Sequence, residues 1–119
     1  YIVDLGLRNH ILPRRQYDLG FSLENLVYFE LIRRGCRVMI GKVGNTEVDF
    51  VAEKKGAYTY FQVTADMTAK ETFHREMAPL INIRDNYEKI VLTKERFTIG
   101  NYNGIQVKYL PDWLLGKDG

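Results

Sequence analysis

Three side chains in this sequence could do chemistry together: Glu24, Asp49 and Gln62, the last leading into Val63 and Thr64. Asp49 sits between Val48 and Phe50, where a carboxylate loses hydration unless it gains a partner or faces a cleft. Two carboxylates and a side-chain carbonyl are hard oxygen donors of the kind Mg²⁺ and Mn²⁺ prefer. An ion held there could activate water and stabilise charge on a phosphodiester during hydrolysis. The same spacing also suits a structural ion pair or cap, and the residues alone leave both readings open. Other chemistry is weaker. His10 and His74 lack metal-ligand spacing and suggest no Ser-His-Asp arrangement. The string GCRVMIGKV has five residues between Gly35 and Gly41, and Val43 follows Lys42, so it fails the phosphate-loop pattern in count and context. Tyr58 and Tyr60 fall on one face of a strand, where aromatic residues are ordinary.

These candidates need elements to position them. Ser22 can cap a helix running to about Arg34, with Leu23, Leu26, Val27 and Leu31 at helical spacing and Gly35 as the stop. CRVMI reads as a strand, followed by a turn at GKVGNT. EVDFVAEKK alternates, with Val48, Phe50 and Ala52 on one side and Glu47, Asp49, Val51 and Glu53 on the other. Gly56 turns the chain into AYTYFQVTA, giving an antiparallel three-strand meander. A helix over about 69–83 presents Phe73, Met77, Leu80 and Ile81 on one face, with Pro79 expected to kink or split it. KIVLT is a strand that a crossover can place parallel to the one before. A turn at 101–104, a strand GIQVKYL and a helical turn PDWLL with Trp113 packing back complete the chain.

Composition sets the outer limits. The chain has 119 residues, 45% of them hydrophobic and 27% charged, the balance of one globular domain. Seventeen basic against fifteen acidic residues give a net charge of +2, too even to demand a nucleic-acid partner. Arg14–Arg15 and Arg33, Arg34 and Arg37 form local basic clusters, the latter a candidate DNA contact. The lone Cys36 excludes an internal disulfide and a cysteine zinc cluster. No apolar run is long enough to span a membrane, and neither a secretory signal nor an Asn-x-Ser/Thr sequon is present, so the expected location is cytoplasmic. The first residue is Tyr1 and the opening YIVDLGL enters in mid-pattern, which reads as a piece of a longer protein.

The succession of a helix carrying LEN, a strand, EVDF, a strand carrying YFQV, a helix and a strand resembles the restriction-endonuclease-like, or PD-(D/E)XK, nuclease core. More narrowly, DLGFSLENLVYFELIRRG, GKVGNTEVDFVAEK, YFQVT and PLINIRDNYEKIVLT resemble the C-terminal domain of unknown function on a large family of prokaryotic AAA+ ATPases. YIVDLGLRNHIL is similar to that family's lead-in from a winged-helix region, so residues 1–20 are the expected lead-in and 21–119 the nuclease-like domain.

The resemblance implies an α/β fold with a small mixed central sheet and a preceding ATPase module as the first partner. ATP would bind in that module and not in this chain. Glu24 then matches the acid sometimes found on the first helix, Asp49 the metal-binding aspartate and Gln62 the second acid position, so Glu24, Asp49 and Gln62 are the implied remnant site for Mg²⁺ or Mn²⁺. Thr64 stands where the pattern has its lysine, and it cannot supply that positive charge. Lys42 and Lys70 are the candidate substitutes. The expected function is therefore a catalytically degenerate nuclease-like module that binds DNA or protein, including a second copy of itself. The alternative is a metal-dependent DNA endonuclease with an altered site.

Overall fold

A computed structural model describes residues 22–43 and 46–116, with side chains up to residue 40 in the first stretch. The lead-in over 1–20 and the clusters at Arg14–Arg15 and His10 lie outside the described residues.

Helix α1 spans Leu23–Arg33; the Ser22 side chain accepts a hydrogen bond from the Asn25 N–H and satisfies one of the donors a helix start leaves unpaired. Strands β1 (Arg37–Val43), β2 (Thr46–Lys54) and β3 (Ala57–Thr64) follow as the expected antiparallel meander. Then come α2 (Lys70–Ile81), β4 (Glu88–Thr93), β5 (Gly100–Tyr102), β6 (Ile105–Tyr109) and α3 (Leu110–Leu114). The six strands form one mixed sheet in the order β1-β2-β3-β4-β6-β5, with β3, β4 and β6 parallel to one another. The fold is α/β, with helices on both faces of the sheet.

Two apolar layers result from the strands' alternation. Val27 and Leu31 of α1 pack with Val38, Phe50, Ala52, Phe61, Val63, Ile90 and Leu92, closed by Leu110 and Trp113 of α3. Met77 and Leu80 of α2 pack with Val48, Val51, Tyr60, Val91, Ile105 and Val107 on the other face. Arg34 ties the first layer's margin: its guanidinium lies 4.3 Å from the Trp113 ring centroid and donates to the Trp113 carbonyl.

Four local expectations are revised. The first strand does not stop before Gly41; β1 continues through Val43 because its backbone still pairs with β2. Pro79 does not split α2, which is one helix to Ile81; in the last turn its missing N–H removes a single bond. The strand GIQVKYL, read only as completing the chain, belongs to the sheet: β6 inserts beside β4 as an interior strand. Strand β5, missed in the sequence, forms a two-residue hairpin with β6 through Asn103 and Gly104, both with positive φ. Asn-Gly is the strongest short hairpin signal, because both positions must adopt left-handed backbone; Lys55–Gly56 turns β2 into β3 in the same way.

A fifth revision shapes the site. Strict alternation fails along β2: Val48 and Val51 pack in the same layer, while Phe50 and Ala52 pack in the other. Met39 pairs with Val51 but Gly41 with Val48, so three steps along β2 oppose two along β1. That is a β-bulge, in which one extra residue turns the strand and re-aims a side chain. Asp49 lies in it.

Glu30 illustrates the surface charges. It pairs with both Arg33 (2.7 Å) and Arg34 (2.6 Å). The hydrogen bond from Arg33, opposed by burial and aided by Arg34, lowers the Glu30 carboxyl from 4.5 to about 2. A carboxyl depressed on folding contributes stability above its unfolded value and loses it as pH falls through the folded one. The wild type should therefore lose urea resistance between pH 4.5 and about 2 more steeply than Glu30→Gln, measured by denaturation midpoints across that window.

Candidate functional site

Beyond the pair Phe50–Phe61, β2 and β3 no longer pair backbone to backbone. Two side chains bridge this fork instead. The Asp49 N–H donates to Gln62 Oε1 (2.8 Å), and the Val63 N–H donates to Asp49 Oδ2 (2.9 Å). Each side chain thus takes the place of the other strand's backbone. The other end of the amide is also engaged: Gln62 Nε2 donates to Glu76 Oε1 (3.2 Å), with the Glu76 carbonyl at 3.5 Å. Gln62 is 7% exposed, and a buried amide needs such partners.

The fork opens into a cleft of about 590 Å³. Its walls include Glu24 from α1, Thr46, Glu47 and Asp49 from β2, Gln62 and Val63 from β3, and Arg75 and Glu76 from α2. The tertiary structure therefore does bring Glu24, Asp49 and Gln62 to one place. It also adds Glu76, which sequence reading missed. Glu76 lies next to the apolar Met77 on a helix read for its packing face, and nothing in its spacing pointed to Gln62. Burial raises the Glu76 carboxyl above its usual range, as do the charges of Asp49 and Glu24, against smaller opposing effects of Arg75 and Gln62.

Of the two candidate lysines only Lys70 has a described side chain, and it is not on the cleft wall. Thr64 is half-buried and its hydroxyl is 3.5 Å from the Asp66 carbonyl. Lys70 is exposed at the start of α2 and does not line the cleft. The Lys42 side chain lies outside the described residues. Arg75 is the one cation among the described lining residues.

A Mg²⁺ or Mn²⁺ site needs several oxygens directed at one point. Here Gln62 Oε1 and Asp49 Oδ2 are directed at backbone N–H groups across the fork. Among the described residues no group of three or more His, Cys, Asp or Glu side chains is placed to hold a metal ion. Two of the implied donors, Gln62 Oε1 and Asp49 Oδ2, are therefore not directed at a common ion.

The basic cluster is likewise committed. Arg33 and Arg34 pair with Glu30, and Arg37 with Glu53 at 2.8 Å. Tyr60 is buried and donates to Asp85, while Tyr58 meets Tyr87 edge-on, so these two tyrosines do not form an open stacking face. His74 stands edge-on to Phe73. Cys36 is half-buried, and burial raises its thiol above the usual range. Among the described residues no helix is long and apolar enough to cross a membrane.

No family model matches this chain. It is 40% identical over 115 residues to an uncharacterized protein of Haemophilus influenzae, an alignment that takes in 97% of this chain. The chain spans 28% of that relative's length.

Proposed function

We propose that this chain is a nuclease-like module of a longer AAA+ ATPase that acts by binding a protein partner, the ATPase portion of the same polypeptide. The observation that carries the non-catalytic part is the use of Gln62. Both ends of its amide are engaged in the fold, at Asp49 N–H and at Glu76, and Thr64 stands in place of a charged donor. The length of the H. influenzae relative supports a setting in which this domain is one part of a larger protein.

Charge favours protein over DNA. Glu24, Glu47, Asp49 and Glu76 face the cleft against Arg75, a wall that repels phosphates. The arginines best placed for a backbone contact already hold carboxylates. Plasmid incubated with Mg²⁺ or Mn²⁺ should stay uncut by the wild type and by Asp49→Ala alike. DNA affinity should be weak, with a shallow salt dependence, and unchanged by Arg33→Ala/Arg37→Ala, because few phosphates are neutralised. Cleavage by the wild type that Asp49→Ala abolishes would instead establish the altered endonuclease. A steep salt slope lost with the two arginines would establish the DNA contact.

A further inference from the structure

We propose that Asp49, Gln62 and Glu76 form a metal-independent clasp that sets the width of the β2–β3 fork and couples it to helix α2. This inference does not depend on membership of an ATPase; it rests on three contacts and one register defect.

The bulge places Asp49 where the β2–β3 ladder has ended at Phe50–Phe61, so the Asp49 and Val63 N–H groups have no backbone partner across the fork. Leaving such donors unpaired in a partly buried site is costly. Asp49 and Gln62 satisfy them reciprocally, each at under 3 Å. The arrangement works only if the Gln62 amide points its oxygen at β2 and its nitrogen away. Glu76 fixes that orientation: a carboxylate only accepts, so the Gln62 nitrogen must face it. A glutamate at position 62 could not bond both neighbours, since it would meet the Glu76 carboxylate with a second acceptor. The amide offers an acceptor to the N–H on β2 and a donor to the carboxylate on α2, as its two neighbours require.

Glu76 thus acts on Asp49 through Gln62, as a positioning residue. Met77 and Leu80 fix α2 on the same face of the sheet, so the helix carries Glu76 to its post by ordinary packing. Any shift of α2 is passed to the fork, and the cleft between them changes with it.

Amide hydrogen exchange in the wild-type chain reads both ends of the clasp. The Asp49 and Val63 amides should be protected although neither bonds to a backbone acceptor across the fork. Glu76→Ala should speed exchange at Asp49 roughly tenfold, the loss expected from one unsupported hydrogen bond, while Val91 in the core is unchanged. Glu76→Gln keeps an acceptor oxygen and should restore the protection, which separates orientation from charge. The far-ultraviolet spectrum and the Val91 amide report whether each variant is folded. Equal Asp49 exchange in the wild type and Glu76→Ala would overturn the coupling. Mn²⁺ provides the second arm: selective broadening of the Asp49 and Val63 signals, removed by Asp49→Asn, would overturn metal independence, and uniform or absent broadening agrees with the clasp.

Discussion

Asp49→Ala should destabilise the domain by about 1–3 kcal/mol, and Asp49→Asn should cost far less. The alanine orphans the Val63 N–H, whose partner is Asp49 Oδ2 at 2.9 Å. It also strands the reoriented end of the fork, where the ladder has already parted. Asparagine keeps an acceptor oxygen at the same place and removes one negative charge from a cleft shared with Glu24, Glu47 and Glu76. The two substitutions therefore separate two roles that a sequence cannot. A structural acceptor tolerates the amide; a metal ligand or an essential charge does not. Urea denaturation at neutral pH measures both. Equal losses for alanine and asparagine would show that charge, not hydrogen bonding, is what Asp49 provides.

The largest effect lies in the connection between α2 and β4. Asp85→Ala should cost about 3 kcal/mol, towards the lower end for a disrupted buried pair because the Asp85 side chain is 34% exposed. Lys89 is 11% exposed at its side chain, and its ammonium sits 3.1 Å from Asp85 Oδ1 and 2.9 Å from the Asp85 and Tyr87 carbonyls. Asp85 Oδ2 also accepts from the buried Tyr60 hydroxyl at 2.6 Å. Removing the carboxylate leaves a buried cation and a buried hydroxyl with their main partner gone. Lys89→Met in the Asp85→Ala background should recover part of the loss, since it takes away the uncompensated charge. Burial pulls the Asp85 carboxyl up, but bonds from Tyr60, the Tyr87 N–H and Lys89 together hold it below its usual range. Its contribution is therefore present at neutral pH and is lost as pH falls through that lowered value. No recovery in the double variant would show that the carbonyl contacts alone hold Lys89.

This network also bears on the two tyrosines, which the sequence marked only as ordinary strand aromatics. Alternation placed Tyr58 and Tyr60 on one strand face, which is correct. The α2–β4 connection that covers them, bringing Asp85 and Tyr87, is distant in sequence and has no local signal. Burial then drives the Tyr60 hydroxyl well above its ordinary range, with Asp85 reinforcing the effect. The residue is a structural donor.

Much of the fold was legible because it rests on local rules. Ser22 as a cap, the helical spacing of Val27 and Leu31, and the turn at Gly56 each follow from neighbours within a few residues. The parallel placement of β4 followed from the helix that precedes it. Strand β5 carried a usable signal in Asn103–Gly104, but a three-residue strand offers too little alternation to stand out.

The site divides along the same line. Residue type and order alone singled out Glu24, Asp49 and Gln62, and folding does gather them at one cleft. What each side chain does there was decided by the tertiary structure. A bulge is a mismatch between two strands, so β2 could not disclose it without β1. Glu76 joins the site only because α2 packs across the sheet and sets a carboxylate against Gln62. Sequence determines which polar groups a chain possesses and which local elements carry them. Their partners are fixed by long-range register and packing, and it is the partner that makes the Gln62 oxygen a bridge between two strands.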